Sequence, residues 1–257
     1  MIGWDPAKYL EFAGPRLRPA LDLVAQVPLA APTEVYDLGC GTGSATRLLA
    51  QRWPSAAVTG VDSSAAMLAA ARETAAGPAI RWVQADLEEW RPPRPAELIF
   101  SNAALHWLPD HATLFPRLVE ALAPGGVLAV QMPRNHDAPS HTEMAAAART
   151  GRWAARLAPL LRKHPVAPPA AYHDWLAAVV ARLDIWETEY LHVLEGDHPV
   201  VEWTRGSALK PLLDALAADE RTAFLADYTA RIARAYPRRP DGRTLFPFRR
   251  LFLVAVR

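Results

Sequence analysis

The chain has 257 residues, 51% hydrophobic and 21% charged, with a formal net charge of +1. That balance describes a globular protein able to bury one substantial core, and it excludes a general nucleic-acid surface, which needs a marked basic excess. A single cysteine, Cys40, excludes an internal disulfide, no Cys/His cluster indicates a metal, and no run of about 18 apolar residues indicates a membrane span. The start, Met1-Ile2-Gly3-Trp4-Asp5-Pro6, lacks the basic and apolar segments of a secretion signal, so a cytoplasmic location is expected.

In chain order, Tyr9, Phe12, Leu17, Leu21 and Val24 give Pro6 to Ala25 the apolar stripe of a helix, with Pro19 expected to break or kink it. Val35-Tyr36-Asp37-Leu38 reads as the end of a buried parallel strand. Gly39-Cys40-Gly41-Thr42-Gly43 then makes a turn where backbone must approach something flat and polar, and Thr46, Leu48 and Leu49 open an amphipathic helix. This glycine spacing is not the G-x-G-x-x-G of dinucleotide sites. Val58 to Asp62 is a second strand, its acid standing roughly 20 residues past the turn, where nucleotide-binding α/β folds use a carboxylate to accept two ribose hydroxyls. Ser63 or Ser64 is placed to cap the next helix, Ala65 to Ala75. A third strand, Ile80 to Leu87, carries Asp86 at its tip, and a fourth, Leu98 to Ala103, leads into Leu105-His106-Trp107.

A helix over Leu114 to Leu122 is expected to end at Ala123-Pro124-Gly125-Gly126, with a fifth strand from Gly126 to Met132. Asp184 to Leu194 and Arg250 to Val256 alternate apolar and polar residues, as antiparallel strands finishing a seven-stranded sheet would. The fold class is therefore α/β, Rossmann-like, with helices on both faces. Two segments lie outside that sheet. One holds helices around Glu143 to Leu161, a Pro-rich loop at Pro165 to Pro169 and a helix near Trp175 to Leu183. The other holds helices over Val200 to Leu216 and Asp219 to Tyr236. They read as a helical lid, so that one domain, 1–257, has its core in 26–132, 184–196 and 248–257 and its lid in 1–25, 133–183 and 197–247.

Cationic and indole side chains cluster where such a lid would meet the strand ends: Arg134, Trp203-Thr204-Arg205, Lys210 and Arg249-Arg250. Arginine forks bind carboxylates at two points. A carboxylate is already ionised near neutral pH and needs no base to act as a nucleophile, whereas a phenol needs one, and His106 is the one base in reach.

The acid beside a Gly-x-Gly-x-Gly turn resembles motif I of class I S-adenosylmethionine-dependent methyltransferases. That resemblance implies S-adenosylmethionine as cofactor, its methionine ammonium at Asp37 and the glycine turn, its ribose at Asp62, and its adenine between Ala85 and Leu87 with its amino group facing Asp86. The cofactor-binding set it implies is Arg16, Asp37, Gly39, Cys40, Gly41, Gly43, Asp62, Ser63, Met67, Ala85, Asp86, Leu87, Asn102 and Ala103.

The whole chain, moreover, is similar to the trans-aconitate 2-methyltransferase family. The similarity is carried by Trp4-Asp5-Pro6, Arg16-Leu17-Arg18-Pro19-Ala20, Trp107-Leu108-Pro109-Asp110-His111, Val130-Gln131-Met132-Pro133, Leu209-Lys210-Pro211 and Arg250-Leu251-Phe252. It implies methyl transfer to a carboxylate of trans-aconitate, a small-molecule polycarboxylate partner, and substrate contacts at Tyr9, His106, Trp107, Arg134, Asn135, Trp203, Arg205, Lys210 and Arg250. The chain departs from the family at His106, Arg134, Lys210 and Arg249, three of the four changing charge or donors near the acceptor side, while the cofactor side is intact. Two alternatives stay open here: another small carboxylic acid or phenol methylated with His106 as base, and a non-catalytic S-adenosylmethionine-binding protein. No nucleic acid or membrane partner is expected. The sequence leaves the oligomeric state open, a monomer being compatible with it.

Overall fold

A computed structural model describes residues 17–73, 79–161, 166–205 and 208–257. They fall in two units, one within Met1–Pro133, Pro165–Thr188 and Arg250–Arg257, the other within Arg134–His164 and Glu189–Arg249.

Among the described residues, the first unit's first helix is α1 (Arg18–Ala25), whose Pro19 sits in the first turn, where a missing N–H costs nothing. The rest of the expected helix, residues 6–16, lies outside the described residues. The unit continues with β1 (Glu34–Leu38), α2 (Ser44–Arg52), β2 (Ala57–Asp62), α3 (Ala65–Glu73), β3 (Ile80–Gln84), β4 (Ala96–Asn102) and a 3₁₀ turn at Leu105–Trp107. Then come α4 (His111–Glu120) and β5 (Leu122–Pro133). After the other unit's first stretch it resumes with α7 (Pro169–Leu176), the first part of β6 (Arg182–Leu194) and the last part of β7 (Thr244–Val256). The sheet runs β3-β2-β1-β4-β5-β7-β6. Its first five strands pair in parallel, and β7 runs antiparallel to β5, with Gln131 opposite Phe252 and Pro133 opposite Arg250.

Successive residues of a strand point to opposite faces, and residues in register point to the same one. One face therefore carries Tyr36, Leu38, Val61, Ile99, Leu128, Val130, Met132, Leu251 and Leu253, which pack with Leu114, Phe115 and Leu118 of α4 and with Tyr172 and Leu176 of α7 in a single apolar cluster. Tyr172 and Leu176 are fully buried in it, each such side chain contributing about 1.5–3 kcal/mol. This corrects the expected helix near Trp175 to Leu183: the helix lies earlier, because Pro168 and Pro169 start it rather than form a loop. This helix belongs to the unit that contains the parallel strands.

The second unit contains α5 (Pro139–Arg149), α6 (Ala154–Leu157), α8 (Pro199–Arg205), α9 (Lys210–Asp214) and α10 (Ala218–Ala235). Phe224, Tyr228 and Ile232, one helical turn apart on α10, are buried with Met144, Ala147, Trp153, Leu157, Val200, Val201, Phe246 and Phe248. The Tyr228 hydroxyl donates to the Ser140 carbonyl at 2.8 Å, satisfying a buried group. The single helix expected over Val200 to Leu216 is two, since Pro211 would cost a mid-helix hydrogen bond but fits the first turn of a new helix.

Candidate functional site

A row of polar side chains in the first unit lies on the sheet face opposite the α4 and α7 cluster. Asp37 pairs with Gly60 and with Phe100, which puts Asp62 and Asn102 on its face two residues further along. Asn102 is in register with Gln131, and Gln131 with Phe252, so Gln131 and Arg250 share that face as well. Along the edge formed by the carboxyl ends of the parallel strands, which the antiparallel β7 passes at Arg250, the order is thus two carboxylates, two carboxamides and one guanidinium.

The carboxylate end is built around the glycine turn. Gly39 has φ +72°, and a Cβ there would lie 2.1 Å from that of Ala104, so both backbone angle and space require glycine. The turn hangs from β2, with the amides of Gly39 and Cys40 donating to the Val61 carbonyl at 2.8 and 3.1 Å. Asp62 closes it: its carboxylate accepts from the Gly41 amide and from the Ser64 amide, each at 2.8 Å. Those two bonds leave lone pairs on both oxygens for further donors. Ser64, not Ser63, caps α3, accepting from the Met67 amide at 3.3 Å.

Asp37 is almost wholly buried and accepts from the Thr46 hydroxyl at 2.6 Å. Burial pushes its pKa from 3.8 up to about 7, the Thr46 bond opposing and the nearby Asp62 charge adding to the rise. A cation brought to this carboxylate would relieve that penalty. Burial, with Asp37 and Asp62 beside it, also pushes the Cys40 thiol up. Two further features suit a ligand that is flat and polar. A Cβ on Gly41 would meet nothing within 4 Å, and Asn102 Oδ1, buried, has no hydrogen-bond partner among the described residues.

Residues 35–126, which include this turn and β1 to β4, match the family model for a methyltransferase domain. Over their full lengths, the chain is 54% identical to a trans-aconitate 2-methyltransferase of Azoarcus sp. (strain BH72), covering 100% of both. The enzyme of that name from Methylobacterium nodulans is 51% identical, covering 100% of this chain and 99% of its own. This chain belongs to the trans-aconitate 2-methyltransferase family. Solved structures agree on the fold. The YcgJ protein of Bacillus subtilis aligns with TM-score 0.59 at 16% identity, over 93% of this chain and 98% of its own. An S-adenosylmethionine-dependent methyltransferase of Mesorhizobium loti aligns with TM-score 0.53 at 24% identity, over 95% and 99%.

Within this member of the trans-aconitate 2-methyltransferase family, most of the expected cofactor residues stand along the carboxylate half. Gly43 caps α2 in the left-handed region, and Ala103, at φ +55°, turns the chain out of β4. The Ala103 amide donates to the Gln131 carbonyl at 2.9 Å. Asp86 stands two residues past the end of β3 rather than at its tip, exposed, its carboxylate accepting from the Glu88 amide at 2.9 Å, with Ala85 half-buried and Leu87 buried on either side. Ser63 and Met67 are exposed at the start of α3. Arg16 and Tyr9 lie outside the described residues.

The expected acceptor residues divide between the units. His106 and Trp107 in the 3₁₀ turn and Arg250 on β7 belong to the first. Their ring planes set His106 against Trp107, centroids 4.7 Å apart, and Trp107 is half exposed. Arg134, Asn135, Trp203, Arg205 and Lys210 belong to the second. There Asn135 bridges its own unit, accepting from the Arg249 amide at 3.3 Å and donating to the Ser140 hydroxyl. Trp203 packs on His192, Phe246 and Phe248. Arg205 pairs with Glu202 and Lys210 with Asp214, both exposed helical ion pairs of small energetic weight. The Arg134 amide donates to the Arg249 carbonyl at 3.0 Å.

Sequence reasoning overlooked two buried polar residues beside this edge, Thr46 and Gln131. For Gln131 a signal was present: an amide within the otherwise apolar run Val127 to Met132.

Proposed function

We propose that this protein transfers a methyl group from S-adenosylmethionine to a carboxylate of trans-aconitate, giving the monomethyl ester and S-adenosylhomocysteine. Full-length relatives at about half identity carry that name. The observation that carries the reading is the sequence of charge along one sheet edge, from Asp62 and Asp37 through Asn102 and Gln131 to Arg250. A cationic donor suits its acidic end and an anionic acceptor its basic end.

When bound, the cofactor supplies a sulfonium-activated methyl group. Asp62 would accept the ribose hydroxyls on its remaining lone pairs, Asp37 would hold the methionine ammonium, and Gly41 would let the ligand lie against the backbone. Arg250 would take a carboxylate of the acceptor. An ionised carboxylate has no proton to lose, so His106 acts as a wall of the site and not as a base. The chain's contribution is orientation, which is worth up to about 7–11 kcal/mol when the reacting atoms are held in line. The acceptor is a soluble metabolite, and we place the reaction in the cytoplasm; among the described residues no helix is long and apolar enough to cross a membrane.

The test is transfer of labelled methyl across trans-aconitate, cis-aconitate, citrate, isocitrate and simple phenols. Ester formation with trans-aconitate ahead of the others is expected. Label appearing only in a phenol, or in none of them, would overturn the reading.

A further inference from the structure

Gln131 is fully buried on β5, in register with Asn102 on one side and Phe252 on the other. Its carboxamide oxygen faces Nη1 of Arg250 at 3.5 Å. A guanidinium can only donate, so the group turned toward it must be Oε1, and this fixes the amide nitrogen on the other side. That nitrogen, Nε2, is buried with no hydrogen-bond partner among the described residues. A buried N–H₂ left unsatisfied costs free energy, and an apolar side chain of equal size would pack here more cheaply. Arg250 is itself 6% exposed, so a guanidinium and an amide donor stand side by side in a region of low dielectric.

Two adjacent donors, one charged and one neutral, match the two oxygens of one carboxylate. The register sets their place: neighbouring strands lie about 4.8 Å apart, so Gln131 is one strand and Arg250 two strands from Asn102. The donor pair thus stands off from the carboxylate end, where a second, unreacting carboxylate of a polyacid would fall.

We infer that Gln131 is a specificity-determining residue which, with Arg250, holds a carboxylate of the acceptor other than the one methylated, and so selects polycarboxylates over monocarboxylates. The inference rests on the proposed carboxyl methyl transfer. Gln131→Met keeps volume and removes the donor. Gln131→Glu sets a carboxylate against the Arg250 guanidinium and turns negative charge toward the incoming anion.

The test combines steady-state kinetics at saturating S-adenosylmethionine with calorimetric titration of trans-aconitate into protein saturated with S-adenosylhomocysteine. Gln131→Met should raise KM and the trans-aconitate Kd about tenfold, the loss expected for one hydrogen bond to a charged group. Gln131→Glu should raise both about a hundredfold, with kcat within about threefold and S-adenosylhomocysteine affinity within about twofold of wild type. Wild-type KM and Kd in Gln131→Met, or equal losses of acceptor and S-adenosylhomocysteine binding, overturn the inference. Should Gln131→Met fail to fold, Gln131→Glu decides by the same criteria. Wild-type protein that binds trans-aconitate without methylating it defeats the proposed reaction and with it the assignment of an unmethylated carboxylate to Gln131, whereas methylation with wild-type KM and Kd in Gln131→Met defeats the inference alone. Wild type that does not bind it defeats the inference.

Discussion

The Tyr172 hydroxyl meets Nδ1 of His111 at 2.6 Å, while Nε2 of the same ring meets the Leu105 carbonyl at 3.0 Å. The carbonyl only accepts, so Nε2 carries the proton, Nδ1 accepts, and the tyrosine donates. The Tyr172 oxygen in turn accepts from the Ala167 amide at 3.3 Å. One neutral imidazole therefore ties the turn bearing His106 and Trp107 to α4 and α7.

Tyr172→Phe should lower stability by about 1–3 kcal/mol, since Nδ1 is left buried without its donor. Urea unfolding measures it, and a loss below about 0.3 kcal/mol would show the bond to be dispensable. Burial also lowers the His111 pKa. A base whose folded pKa lies below its unfolded value binds fewer protons when folded. Its stability contribution is thus complete above the unfolded pKa of about 6.5 and is lost as pH falls through the folded value. His111→Gln should flatten the slope of stability between pH 6.5 and 5.

Asp37 acts in the opposite sense. Its pKa is raised from 3.8 to about 7, so the folded protein binds more protons than the unfolded chain between those values. Stability from this group is complete below pH 3.8 and lost as pH rises to about 7. Asp37→Asn, which holds a neutral group there, should melt progressively higher than wild type as pH goes from 5 to 8, while binding S-adenosylhomocysteine more weakly. A melting difference that does not change with pH would count against a buried, titrating Asp37.

Two glycine substitutions should separate folding from binding. Gly39→Ala forces a Cβ to 2.1 Å from Ala104 in a left-handed backbone, and should unfold the protein or cost more than about 3 kcal/mol. Gly41→Ala meets no neighbour within 4 Å, so only the left-handed backbone is penalised, by about 1–2 kcal/mol. It should nonetheless weaken S-adenosylhomocysteine binding at least about tenfold, one methyl group standing where the ligand is proposed to lie. Calorimetry on the folded Gly41→Ala variant showing wild-type affinity would place the ligand elsewhere.

Cys40 is buried and its thiol is pushed up, so little thiolate forms near neutral pH. An aromatic disulfide reagent should label the native protein at least about a hundredfold more slowly than protein in guanidinium. Comparable rates would show that the turn opens freely.

The strands and the carboxylate half of the edge were legible because their signals are local. Apolar runs end in acids, and glycines stand where φ is positive. Helix limits were read less well at prolines: Pro169 and Pro211 begin helices here, and a sequence alone does not say whether a proline starts or stops one. Arg205 and Lys210 illustrate a different limit. Their charge was visible, but their pairing with Glu202 and Asp214 depends on helix phase and rotamer. Gln131 was hidden because its meaning depends on register with Asn102 and Arg250, which are 29 and 119 positions away in the chain.

Because strand alignment alone puts Gln131 and Arg250 on the same side as Asp37, a one-residue slip of β5 would present Met132 or Val130 in place of the amide. On the proposed reading, anion choice is then modular. Exchanging side chains at the end of the β5–β7 pairing would retune it, and the glycine turn proposed to hold the nucleoside would be left untouched.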